Sequence, residues 1–234
     1  MGRESKRRNS RRRPKQTEIE FRSWGGRRKG AGRKPVGAKA GVAHARRSEL
    51  PRGGCVHVTL RAVAGIGRLR GRKQWNAVRA AARGVLEREG FRVCELSLMT
   101  NHLHLVVEAE NRGTLARGMN ALCTSLARRL NKSLGRSGRF FGDRYHARIL
   151  KTPLEVKHAL AYVLNNARRH AAQRGQAYAS GWCDPFSSAR AFTGWRSLSA
   201  RAGPDSPWLS PPATWLLRVG WRRHGLLDLD AVPG

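Results

Sequence analysis

Between residues 55 and 110 apolar and polar positions alternate with a period of two, then switch to helical spacing, then switch back. Val56, Val58 and Leu60 interleave with His57, Thr59 and Arg61, the pattern of a half-buried strand. From Gln74 to about Glu89, Trp75, Val78, Ala82, Val85 and Leu86 share one face of a helix that Gly90 closes. Phe91 to Leu98 and His102 to Glu108 predict two more strands, and the short Met99-Thr100-Asn101 connection makes them an antiparallel hairpin. A second helix from Thr114 to about Leu134 carries Leu115, Met119, Leu122, Leu126 and Leu130 on one stripe, with Arg117, Arg128, Arg129 and Lys132 off it. Ala147 to Leu150 predicts a short fourth strand. The order β, α, β, β, α, β implies an α+β fold: a ferredoxin-like antiparallel sheet with helices on one face.

A separate helix follows. Thr152, Pro153 and Glu155 supply a cap, a proline at the first helical position and the closing glutamate of a capping box. Val156, Leu160, Val163, Leu164 and Ala167 then form its apolar stripe, and Tyr162 and Asn166, four residues apart, fall together on the opposite side.

Charge changes the picture of partners. The 234 residues hold 47 Lys and Arg against 15 Asp and Glu, a net +32, which points to a polyanion such as nucleic acid. Residues 1–50 account for 17 of the basic and 4 of the acidic groups, so the remainder is itself strongly basic. Those first 50 residues are glycine-rich and poor in large apolar side chains, the composition of a flexible basic arm. Four dispersed cysteines without a C-x-x-C pair argue against a zinc knuckle or a disulfide scaffold and for a reducing cytosol. No apolar run is long enough to span a bilayer.

Candidate chemistry centres on His102 and His104. On a strand they share one face while Leu103, Leu105 and Val107 share the other, and two neutral imidazoles side by side are half of a divalent-metal site. Tyr162 reads either as a half-exposed tyrosine packed on a neighbouring loop or as a phenol presented as a nucleophile. In the second reading the Asn166 amide is a third ligand, and imidazole with oxygen ligands suits Mg²⁺ or Mn²⁺. Tyr145 competes as nucleophile but lies in an irregular segment without a ligand-type residue at helical spacing. His158 reads as solvated. Arg144, Arg148, Arg168 and Arg169 are either phosphate contacts or members of a generic basic face.

Three motifs in order, Asn101-His102-Leu103-His104-Leu105, Phe141-x-x-Arg144-Tyr145-His146 and Tyr162-Val163-Leu164-Asn165-Asn166, resemble the single-tyrosine HUH transposases, and within them the REP-associated tyrosine transposases. The resemblance covers roughly residues 50–195. It implies a domain of residues 51–172 that cleaves single-stranded or hairpin-associated DNA, with His102, His104 and Asn166 holding Mg²⁺ or Mn²⁺. Tyr162 becomes the nucleophile, forming a 5′-phosphotyrosine link. The expected setting is the bacterial cytoplasm at the nucleoid, as monomer or homodimer, with no membrane. Ala167 stands where the family often has proline. Residues 173–234, with five of the seven tryptophans, form an irregular extension whose indoles strap it to the domain. The rival reading is a hairpin-binding regulator that keeps the scaffold without the chemistry. A replication initiator with the same histidine pair is disfavoured by the single helix-borne tyrosine.

Overall fold

The computed structural model describes residues 48–197 and 208–234. The basic arm expected over residues 1–50 therefore falls outside the described residues, except for its last three.

Four strands form one antiparallel sheet: β1 (Gly54–Arg61), β2 (Phe91–Leu98), β3 (His102–Ala109) and β4 (His146–Leu150), in the order β2-β3-β1-β4. The expected α+β architecture is the observed one. Helices α1 (Arg72–Arg83) and α2 (Arg112–Ser133) cover one face, closing a core of Val56, Val58, Leu60, Leu103, Leu105 and Val107 against Leu115, Met119, Leu122 and Leu126. Alternation along each strand puts those residues on one side of the pleat and leaves the intervening ones for the other.

Helix α1 ends at Gly84, six residues before the glycine that the pattern had marked as its stop. Turns closed by bonds from Val85, Leu86 and Arg88 N–H to the carbonyl three residues back carry the chain onward, and Gly90, with φ +68, leads into β2. Val85 is still buried, so the apolar period outlasts the helix. Helix α2 is capped by Asn111 and Thr114, each side chain bonding the other's backbone N–H. It passes so close to β2 that a Cβ on Gly118 would lie 2.2 Å from the Phe91 ring.

The opposite face is covered by α3 (Pro153–Leu164), which opens with the expected Thr152 and Glu155 capping box. Val156, Leu160, Val163 and Leu164 pack with Cys55, Cys94, Val106 and Leu150 of the sheet and with Leu217 and Trp221 of the C-terminal extension. The helix does not continue to Asn166. Asn165, at φ −103 and ψ 15, breaks it, and Asn166 begins α4 (Asn166–Ala172).

The extension contains short helical turns and three buried tryptophans, Trp195, Trp208 and Trp221. Carboxylates pin it. Asp184 takes both terminal nitrogens of Arg70, at 3.0 and 2.7 Å. Buried Glu108 on β3 accepts from Ala213 N, Thr214 N and Thr214 Oγ1. Trp195 and Trp221 pack the extension against α3 and its sheet face and Trp208 joins the α1/α2 core, whereas Trp215 is 49% exposed.

Candidate active site

The face of the sheet under α3 and α4 is polar in one lateral row. Ser97 of β2 stands opposite His104 of β3, His104 opposite Thr59 of β1, and Thr59 opposite His146 of β4. His102 and His104 lie on this face, their ring centroids 4.7 Å apart at 88°. His57, two residues along β1 from Thr59, brings Nε2 to 3.2 Å from His104 Nδ1.

Tyr162 is laid on this row and not turned to solvent. Its ring lies 5.1 Å from His104 and 5.7 Å from His57, edge-on to each, and the Arg169 guanidinium stands 5.4 Å from its centroid. Because the apolar stripe of α3 is shared between the sheet and the extension, the side of the helix that looked outward in sequence faces the histidine-bearing strands.

Asn166 is fully buried, and neither atom of its side-chain amide has a hydrogen-bond partner among the described residues. The same holds for His104 Nε2 and Ser97 Oγ. His170, one turn beyond Asn166 and so on the same side of α4, lies 5.9 Å from His102, which turns that side of α4 toward the histidine pair. Unpaired buried polar atoms each cost about 1–3 kcal/mol, so several on one face mark a place built for something that binds them.

Burial keeps His57, His102 and His104 of this face uncharged. Burial lowers His102 to about 4, with nearby His170 adding to the effect. Burial and then the neighbouring His102 push His104 down to about 2. His57 falls to about 4 by burial, helped by His146 and Arg148. All three are neutral at physiological pH, the form in which imidazole binds metal. No group of three His, Cys, Asp or Glu is arranged to hold an ion among the described residues; the buried, unpaired Asn166 amide is the candidate third ligand beside His102 and His104.

The four arginines separate. Arg148 is exposed on β4 opposite His57 and pairs with Glu155 at 3.6 Å. It lines, with His57, Glu155, His158 and Tyr162, a groove of about 550 Å³ beside the tyrosine. Arg169 joins Tyr162 and donates to Pro233 O at 3.0 Å. Arg144 is exposed beside Tyr145, in a second groove of about 510 Å³ lined by residues of α2 and the 141–145 segment. Arg168 is turned inward. Only 6% exposed, it donates to the carbonyls of Tyr178, Ala179 and Trp182 and to Asp230 at 2.6 Å, a strut between α4 and the extension.

Sequence reasoning missed His57, Thr59 and Ser97, whose only signal was membership of the polar set on strands. It saw Arg117, Arg128, Arg129 and Lys132 merely as off-stripe positions. With Arg88 and Arg136 they line a groove of about 1030 Å³ on the outer side of α2, remote from the tyrosine face.

The molecule is thus a four-stranded antiparallel sheet with a histidine pair on a central strand and the tyrosine-bearing α3 laid over it. Residues 57–166 match the family described as "Transposase IS200 like". The fold is similar to the structure of a REP-associated tyrosine transposase bound to a REP hairpin: 16% identity, TM-score 0.51, 70% of this chain and 94% of that one. A crystal structure of a proposed transposase from Deinococcus radiodurans also matches, at 14% identity and TM-score 0.36, over 60% of this chain and 99% of that one. None of the curated proteins matches the chain. No helix among the described residues is long and apolar enough to cross a membrane.

Proposed function

We propose that this protein is a metal-dependent endonuclease and strand transferase acting on hairpin-associated single-stranded DNA, with Tyr162 as nucleophile. The observation that carries the reading is the set of buried, unpaired atoms, His104 Nε2 and the Asn166 amide, on the face where Tyr162 meets the histidines. A protein that only bound DNA would have no use for that cost.

His102, His104 and Asn166 would hold Mg²⁺ or Mn²⁺, and the ion would supply charge compensation at the scissile phosphate. Tyr162 Oη gives up its proton as it attacks phosphorus and forms a phosphotyrosine bond. The bond to the 3′ oxygen breaks, and that oxygen takes up a proton and leaves as a 3′-hydroxyl. Reversal of the same step by a 3′-hydroxyl rejoins strands and frees the phenol. Arg148 and Arg169, flanking the tyrosine, bind neighbouring phosphates, and Arg144 extends that track. Arg168 supports α4 from behind. The fold neighbour was solved with a REP hairpin; the basic α2 groove of this chain suits the backbone of such a stem. Residues 51–172 form the catalytic domain, residues 1–50 an accessory basic arm and residues 173–234 its extension.

The test is incubation of wild type and Tyr162→Phe with labelled hairpin oligonucleotides carrying single-stranded flanks, plus Mg²⁺ or Mn²⁺, resolved on denaturing protein gels. A covalent band lost in Tyr162→Phe and with EDTA is expected. Tight binding with no band in any hairpin series would favour a non-catalytic regulator, and a band that survives in Tyr162→Phe would move the nucleophile to Tyr145.

A further inference from the structure

The two histidines of the pair are both bonded through Nδ1, but by different means. For His102 the partner is local: Asn101 Oδ1, one residue back, at 2.7 Å. His104 Nδ1 instead meets two side chains of β1, His57 Nε2 and Thr59 Oγ1, each at 3.2 Å. Thr59 is the residue opposite His104 in the β1/β3 register, and His57 lies two positions along β1 on the same face. His104 Nε2 is buried without a partner.

A neutral imidazole carries one proton, and the bond made at one nitrogen decides which nitrogen keeps its lone pair. Two groups able to accept at Nδ1 favour the proton there. The other tautomer would bury an N–H at Nε2 with nothing to receive it, and would turn that N–H toward a cation. His57 and Thr59 are therefore doing for His104 what an outer carboxylate or carbonyl does for a metal-bound histidine elsewhere. Two side chains converging on one nitrogen also fix the plane of the ring, which a single bond would leave free to rock. His57 has a second contact, its ring standing edge-on to Tyr162 at 5.7 Å.

We infer that His57 and Thr59 are positioning residues that hold His104 as its Nδ1–H tautomer, aiming the Nε2 lone pair into the metal site, and that His57 at the same time sets the spacing between that ligand and the Tyr162 ring. The inference rests on the reading of His104 as a ligand, and it assigns a role to a third histidine that neither coordinates nor attacks. Since His57 Nε2 accepts, the proton of His57 sits on its own Nδ1.

The tautomer is read directly in the full-length, metal-free protein from the ¹⁵N shifts of the His104 ring, assigned by difference with His104→Gln. Wild type is expected to carry the proton on Nδ1. In His57→Phe/Thr59→Val the ring should shift toward a mixture of tautomers, and Mn²⁺ affinity, followed by electron paramagnetic resonance, should fall about 10–100-fold. His57→Gln with Thr59 retained, which restores an acceptor, should recover most of that loss. A wild-type proton on Nε2 would overturn the inference, as would a double variant with unchanged tautomer and unchanged Mn²⁺ affinity. If the double variant does not fold by circular dichroism, Thr59→Val alone decides by the same two readouts. A wild type that holds the Nδ1 proton yet binds no Mn²⁺ would uphold the tautomer assignment while removing the ligand reading on which its purpose rests.

Discussion

Leu103 and Leu105 enter a core that α1 and α2 close with apolar side chains, whereas His102 and His104, their immediate neighbours on β3, lie under α3 and α4 among buried polar atoms without partners. One strand thus serves two economies. On the α1/α2 face each side chain is buried against carbon and the gain is hydrophobic, roughly 25 cal/mol per Å² removed from water. On the α3 face stability is given up at the histidines and Asn166 and recovered elsewhere on the same side, where Val156, Leu160 and Val163 meet Trp221 and Leu217. A site that costs folding energy has to be overbuilt around its edges, and the carboxylate-pinned extension does that.

Substituting adjacent residues of β3 separates the two faces most strongly. His104→Ala should reduce DNA cleavage by at least about 100-fold at a smaller cost in urea stability than an apolar truncation, because removing the unpaired Nε2 offsets part of the loss of the Nδ1 bonds to His57 and Thr59. Leu105→Ala should do the reverse, costing about 2–5 kcal/mol of stability by opening a cavity, with cleavage by the folded fraction retained. Equal effects on both measurements at both positions would erase the distinction between faces.

A second difference lies at Glu95 on β2. Burial lifts its carboxyl to about 8, partly offset by the hydrogen bond from Ser188 of the extension. Its folded value lies above the unfolded one of about 4.5, so the native state holds the proton more tightly. Stability should therefore be greatest below pH 4.5 as far as this group is concerned, and should fall by a few kcal/mol as pH rises to about 8. Glu95→Gln is expected to flatten that slope, as read by urea midpoints across the range.

On the α2 side, Gly118→Ala should destabilise by about 1–3 kcal/mol despite the better helix propensity of alanine, since the new methyl would meet the Phe91 ring. Thermal unfolding with and without a compensating Phe91→Leu checks the mechanism. The smallest effects belong to the outer groove: replacing Arg128, Arg129 and Lys132 singly with Gln should leave Tyr162 adduct formation at saturating DNA intact. Each should reduce the log–log salt slope of hairpin binding by about one.

Local chemistry was the part of this molecule that its sequence determined. The alternation that puts His102 and His104 on one side of β3 and leucine on the other is a property of the extended chain, and the caps of α2 and α3 are written within four residues of each helix start. Element order and apolar period together sufficed for the α+β sheet. Only tertiary structure decided which face Tyr162 serves, because the stripe of α3 is shared between a sheet and an extension more than fifty residues further on. It also decided the break at Asn165, whose side-chain amide donates to the carbonyls of Asp228 and Ala231. The partners of His104 are likewise set by strand register across 45 and 47 residues of chain, and the inward turn of Arg168 by where Asp230 arrives. Periodicity reports which side of its own element a residue occupies; what waits on that side is fixed by contacts between elements distant in sequence.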